Sequence, residues 1–148
     1  IAHRGAAYDA PENTLSSVTE GFQQRADGVE VDIRMTRDGH IVCHHDKSAL
    51  RTTSVDKTIQ SMPLSEIKKL DSGSWFGKEW AKEKVPQLEE ILSLLPRQKE
   101  IFIEVKTKKE IVDSLLKLLR KSLLNLGFIH VESGPLVRSS YKAKKHVN

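Results

Sequence analysis

Glu30 and Asp32 stand two positions apart in Gly28-Val-Glu30-Val-Asp32-Ile-Arg-Met35, and Glu104 stands two before Lys106 in Ile101-Phe-Ile-Glu104-Val-Lys106. On an extended chain, residues two apart share a face. Each pair therefore projects to one side, while Val29, Val31 and Ile33, or Ile103 and Val105, project to the other. Three carboxylates converging at strand ends repel one another unless a hard cation with a preference for oxygen, Mg²⁺ or Ca²⁺, sits among them. The plain alternative is that Glu30 and Asp32 form the solvated face of an edge strand, and spacing alone leaves both readings open.

His3 and His45 each follow strand-like residues, beside Arg4 and Asp46. Cleaving a phosphodiester needs one group to take a proton and another to give one, and histidine is the side chain suited to both near neutral pH. Arg4 offers a planar fork for phosphate oxygens, and Lys106 a point charge where negative charge develops. Each histidine taken singly also reads as a surface or packed residue. His40, His44, His130 and His146 are left at that reading.

The elements that must carry these groups follow from the same pattern. Ile1-Ala-His3-Arg4-Gly5 reads as a short strand ending in a loop. A helix follows from Asn13 or Thr14 to about Arg25, with Leu15, Val18 and Phe22 at helical spacing. Gly28–Met35 alternates as a strand, Thr36-Arg-Asp-Gly39 is a turn, and His40–His45 is the returning arm of a hairpin. From about 47 to 84 the pattern is irregular, with a short helix expected at Leu64–Leu70 and an aromatic group in Trp75, Phe76 and Trp80. Pro86–Leu95 reads as a helix, Ile101–Lys106 as a third strand, and Lys109–Leu124 as an amphipathic helix ending near Asn125 and Gly127. Phe128–Val131 is a candidate fourth strand, and residues 133–148 carry no clear period. Strands alternating with helices predict a parallel sheet, doubly wound or closed into a barrel. The absence of a Gly-rich phosphate loop disfavours the nucleotide-binding version.

With 148 residues the chain is long enough for one domain. Its net charge of +4 suits an anionic substrate. The cations are scattered, and no basic helix with interleaved aromatics marks a nucleic-acid binder. The lone Cys43 requires no oxidising compartment, which favours the cytoplasm. No apolar stretch approaches the roughly 20 residues of a membrane span. The chain opens at Ile1 rather than Met, so targeting stays open.

The blocks Ile-Ala-His3-Arg4-Gly5, Ala-Pro-Glu12-Asn13-Thr14, Gly28-Val-Glu30-Val-Asp32-Ile and Thr36-Arg-Asp-Gly-His-Ile-Val-Cys-His-His45-Asp46 together resemble the glycerophosphodiester phosphodiesterase family in order and spacing. So do Leu50-Arg-Thr-Thr53, Leu70-Asp-Ser-Gly-Ser-Trp-Phe-Gly77, Val85-Pro-Gln-Leu-Glu-Glu-Ile-Leu92 and Ile103-Glu104-Val-Lys106. The resemblance covers about residues 1–106. It implies a (β/α)₈ TIM-type barrel with a small insertion after the second strand, at residues 47–84, and an active site at the C-terminal ends of the strands. It also implies His3 and His45 as the acid/base pair, Glu30, Asp32 and Glu104 as ligands of one divalent cation, Mg²⁺ or Ca²⁺, and Arg4 and Lys106 as phosphate contacts. The expected reaction is hydrolysis of a small glycerophosphodiester to sn-glycerol 3-phosphate and an alcohol. The aromatic group of the insertion becomes a candidate wall for the glycerol side, or else a small core of its own.

A whole barrel of this type takes about 250 residues, so the resemblance implies one barrel domain over 1–148, incomplete or internally gapped after about residue 124. Two other readings accompany the leading one. One is a catalytically incomplete homologue that binds phosphodiesters or a partner. The other is a lysophospholipase D-like relative acting on longer lipids. Nothing in the residues sets the oligomeric state.

Overall fold

The alternation in Gly28–Met35 becomes the middle strand of a four-stranded sheet in a computed structural model that describes residues 1–107 and 110–125. The strands are β1 (Ala2–His3), β2 (Gly28–Met35), β3 (Ile41–Cys43) and β4 (Glu100–Val105). β1 runs parallel to β2 at Ala2↔Val29 and His3↔Glu30. β4 runs parallel to β2 from Gly28↔Glu100 to Ile33↔Val105. β3 returns antiparallel at Ile33↔Cys43 through Met35↔Ile41. The Glu30 carbonyl accepts from the Gly5 N–H, the Asp32 carbonyl from His44, and the Ile33 carbonyl from Lys106. β1 and the β3 arm therefore share one edge of β2, and β4 takes the other.

Five helices accompany the sheet: α1 (Leu15–Gln23), α2 (Leu50–Thr53), α3 (Leu64–Ile67), α4 (Leu88–Ser93) and α5 (Ile111–Asn125). The odd-numbered face of β2 is wholly apolar. Val29, Val31 and Ile33 are fully buried with Val18 of α1, Leu88, Ile91 and Leu92 of α4, and Ile111 and Leu119 of α5. Each such aliphatic contributes about 1.5–3 kcal/mol on leaving water. This leaves the even-numbered face for Glu30, Asp32 and Arg34. On β3 the alternation divides two clusters: Ile41 and Cys43 join this core, while Val42 points into a second one with Ala49, Ile59, Met62, Ile67, Leu70 and Val85. Within residues 47–84, the part from Ala49 to Leu70 packs around that second cluster.

Several boundaries differ from the sequence expectation. Of the two caps the sequence allows for α1, Thr14 takes the role: its side chain accepts from the Ser17 N–H at 3.2 Å while the Ser17 hydroxyl accepts from the Thr14 N–H. The helix ends at Gln23, because Arg25 has φ +64 and cannot continue it. The returning strand is only Ile41–Cys43. α3 stops at Ile67 rather than Leu70, and α2 was not anticipated. The expected strand at 128–131 lies outside the described residues. No helix among the described residues is long and apolar enough to cross a membrane.

Candidate active site

The parallel register sets Asp32 beside Glu104 across the β2–β4 ladder, with Glu30 one step back on the same face. One oxygen from each of Glu30, Asp32 and Glu104 lies within 4.8 Å of the others. Asp32 is fully buried, the Glu30 side chain is 15% exposed and that of Glu104 49%. Glu30 Oε1 and Asp32 Oδ1 are buried without a hydrogen-bond partner. Burial and the neighbouring Asp32 push the Glu30 carboxyl above the usual carboxylate range. Buried oxygen donors that lack partners and repel one another are a donor set that a hard divalent cation satisfies.

Two residues in the left-handed region shape the surroundings. Arg4 has φ +57, which turns its N–H onto Glu30 Oε2 at 3.0 Å and brings its Nε within 3.3 Å of Asp32 Oδ2. Asn13, also at φ +57, donates from Nδ2 to Asp32 Oδ2 and accepts the Asp32 N–H on Oδ1, both at 2.9 Å. Non-glycine residues in this region are uncommon and strained. Gly5, at φ +76, completes the turn, since a Cβ there would lie 2.4 Å from the Ser17 hydroxyl.

On the far side, Lys106 Nζ donates to Glu104 Oε1 at 2.6 Å and lies 3.3 Å from Asp32 Oδ1. Burial pulls its ammonium down, but these two carboxylates outweigh it and the net direction is up. His3 places Nε2 3.7 Å from Glu30 Oε2 on a largely exposed ring. Thus His3, Arg4, Glu30, Asp32, Glu104 and Lys106 are joined by direct contact, while His45 stands apart from them.

His45 is tied in by residues that the sequence reading did not single out. Its Nδ1 donates to Asp46 Oδ1 at 2.7 Å. A carboxylate can only accept here, so Nδ1 carries the hydrogen and Nε2 is the open acceptor. Arg51 donates from Nε to Asp46 Oδ2 and from its two terminal nitrogens to both oxygens of Glu12, at 2.6–3.0 Å. Glu12 in turn accepts from Arg4 Nη1 at 3.1 Å. Burial raises the Asp46 carboxyl, but Arg51 and His45 prevail and hold it at about 2. Glu12 is likewise depressed, Arg51 and Arg4 overcoming burial. Arg34 spends its guanidinium on carbonyls: Nε and Nη2 donate to the His45 carbonyl, and Nη1 to that of Lys106. It so ties the loop after β3 to the one after β4.

The Arg51 guanidinium also lies over the Trp75 ring, 5.5 Å from its centroid. Phe76 meets Trp75 and Trp80 edge-on at 5.7 and 6.4 Å, and Trp75 Nε1 donates to the Ser72 carbonyl. The aromatics thus pack on one another and reach the site through Arg51. His44 is buried, its ring held by the Asp46 carbonyl at 2.9 Å and the Thr52 hydroxyl at 3.0 Å. Burial lowers its pKa, as expected of a packed neutral imidazole.

The glycerophosphoryl diester phosphodiesterase family model matches residues 3–145. A glycerophosphodiester phosphodiesterase of Caldanaerobacter subterraneus is 39% identical over 112 residues, covering 76% of this chain and 46% of that protein. One from Bacillus subtilis is 34% identical over 158 residues, covering 99% of this chain and 53% of its own length. Among solved structures, an Oleispira antarctica phosphodiesterase in complex with the product sn-glycerol-3-phosphate aligns with a TM-score of 0.77 at 35% identity, over 81% of this chain and 51% of that one. A glycerophosphodiester phosphodiesterase from Agrobacterium tumefaciens aligns at 0.75 and 35% identity, over 80% and 51%. The chain spans about half the length of the curated relatives it matches. It belongs to the glycerophosphoryl diester phosphodiesterase family, and its described residues form part of a (β/α)₈ barrel.

Proposed function

We propose that the protein carrying this chain hydrolyses glycerophosphodiesters to sn-glycerol 3-phosphate and an alcohol, with one divalent cation, Mg²⁺ or Ca²⁺, held by Glu30, Asp32 and Glu104. The observation that carries this reading is the three-carboxylate cluster, set between Arg4 and Lys106, with two buried oxygens that accept no hydrogen bond: Glu30 Oε1, and Asp32 Oδ1, which has only the Lys106 ammonium at 3.3 Å. The Oleispira relative with sn-glycerol-3-phosphate bound supports the choice of substrate. The cation, when bound, supplies positive charge against the phosphoryl oxygens and offsets the repulsion among the three acids.

The chain's own groups do the rest. Arg4 and Lys106 present cations from opposite sides of the carboxylates and orient the phosphate. His45, its Nδ1–H engaged by Asp46, takes a proton on Nε2 from the water that attacks phosphorus, as the new P–O bond forms and the bond to the alcohol oxygen breaks. His3 hands a proton to the departing alkoxide. Asp46 keeps the His45 ring in that tautomer, and Arg51 keeps Asp46 ionised and in place. All seven groups are present, which favours a working enzyme over a homologue that only binds. The test is release of sn-glycerol 3-phosphate from glycerophosphocholine or glycerophosphoethanolamine, with and without EDTA. Loss of turnover in chelator and its return with Mg²⁺ or Ca²⁺ is expected. Undiminished turnover in excess EDTA would overturn the metal role, and no turnover of any glycerophosphodiester in the presence of cation would overturn the reaction.

A further inference from the structure

At the C-terminal ends of β2 and β4, a cavity of about 330 Å³ is lined by Arg34, Met35, Lys47, Gln60, Lys106 and Thr107. Three of these six residues are cations and none is an acid. Lys106 forms the wall shared with the carboxylate cluster, which it touches through Asp32 and Glu104. Arg34 is partly buried, and every hydrogen bond of its guanidinium goes to a carbonyl, so no carboxylate cancels its charge by contact. Asp46 and Asp32 act on it only from a distance. Lys47 is exposed and pairs with no carboxylate among the described residues. Lys106 is compensated by its two carboxylates, so Arg34 and Lys47 are the cations of this recess without a carboxylate in contact; placing them together costs repulsion, and an anion relieves it.

We infer that this cavity is a subsite for a second phosphate group, carried on the alcohol half of the diester, so that the preferred substrates are glycerophosphodiesters with an anionic alcohol. The inference rests on the proposed reaction and narrows its substrate class. The glycerol half offers only hydroxyls, which give Arg34 and Lys47 no charge to pair with, so the anion belongs to the other half. Because the Arg34 fork is already occupied by carbonyls, it cannot grip a planar carboxylate with two parallel bonds. Recognition is then by charge rather than shape, and a phosphate monoester, carrying about two negative charges at neutral pH, draws most.

The experiment compares kcat/KM for glycerophosphoglycerol with that for the same diester bearing a phosphate on its second glycerol, at low ionic strength and saturating Mg²⁺. The wild-type protein is expected to favour the phosphorylated diester about tenfold, and high salt to shrink that preference. In Lys47→Glu, an exposed change, the ratio should fall to about one. A wild-type ratio of one or less, or a ratio untouched by Lys47→Glu, overturns the subsite while leaving the reaction standing. If neither diester is cleaved, the reaction itself has failed. The subsite is then judged by titrating inorganic pyrophosphate into both proteins without metal: weaker binding by the variant supports it and equal binding overturns it.

Discussion

Asn13 and Asp32 are joined twice: the amide of Asn13 donates to Asp32 Oδ2, and its oxygen accepts the Asp32 backbone N–H, both at 2.9 Å with both residues buried. This pairing fixes the carboxylate at the centre of the cluster and leaves Oδ1 free of hydrogen bonds. Asn13→Asp separates this role from backbone strain, because Asp also tolerates φ +57. The change removes the donor and sets a second carboxylate against Asp32. It should lower the stability of the metal-free protein by about 1–3 kcal/mol, read as a lower urea midpoint. An unchanged midpoint would show that the double bond between the two residues is unimportant.

Replacing Glu30 by Gln tests the crowding of the cluster from the other direction. The metal-free fold sets the largely buried Glu30 carboxyl, whose ionisation burial and Asp32 oppose, beside Asp32, and the variant sets a neutral amide there. Its melting temperature without metal should exceed that of the wild type by about 2–4 °C, the shift expected of about 1 kcal/mol. The wild type should gain thermal stability on adding Mg²⁺ or Ca²⁺, and the variant should gain much less. Equal metal-induced shifts in the two proteins would remove Glu30 from the ligand set.

Arg51 joins Glu12, Asp46 and Trp75, so Arg51→Gln should loosen the support of His45. Turnover is expected to fall by about tenfold through misplacement of the ring. The acid limb of stability should change as well. Asp46 and Glu12 have folded values below their unfolded ones, so their stabilisation is present above about pH 4 to 4.5 and is lost as pH falls toward the folded values, about 2 for Asp46. The variant should lose less stability than the wild type between pH 5 and about 2 in urea titrations. Parallel acid profiles would place the depression of these carboxyls elsewhere.

The histidines provide the sharpest contrast. His3→Ala and His45→Ala should each lower turnover by about 10²–10⁴-fold with little change in KM, and the intact protein should show a bell-shaped pH–rate profile. His44→Ala, one position away, removes a buried ring bonded to Thr52 and to the Asp46 carbonyl. It should cost about 1–3 kcal/mol of stability while the folded variant keeps most of its turnover. Loss of turnover in the folded His44 variant together with full activity in His45→Ala would reverse the two assignments.

How much of this was legible in the sequence depends on the range of each interaction. The face shared by Glu30 and Asp32 could be read directly, because alternation is a property of the strand itself. That Glu104 meets Asp32 was readable only as far as both lie on strands of one sheet; the register that makes them partners is set by packing of α1, α4 and α5 on the opposite face. The sequence leaves the cap of α1 open between Asn13 and Thr14; Thr14 takes that role, and Asn13 is free to bind Asp32. Asp46 stands next to His45 in the sequence, but the roles of Arg34, Arg51 and Glu12 carried no local signal, since each acts through a partner brought in by the fold, 39 positions away for Arg51 and Glu12. The short α2 that presents Arg51 has too few residues to show a period.

Because Asp32 and Glu104 meet only across the β2–β4 ladder, the chain makes two of its three acids long before the third. A nascent chain that has exposed Glu30 and Asp32 still lacks Glu104, and the loop between them must close before the cluster exists. If the three acids hold the proposed cation, affinity for it is acquired only once Glu104 has joined the sheet. Under that proposal a chain lacking Glu104 would not hold the ion, and occupancy would report that this sheet has assembled in register.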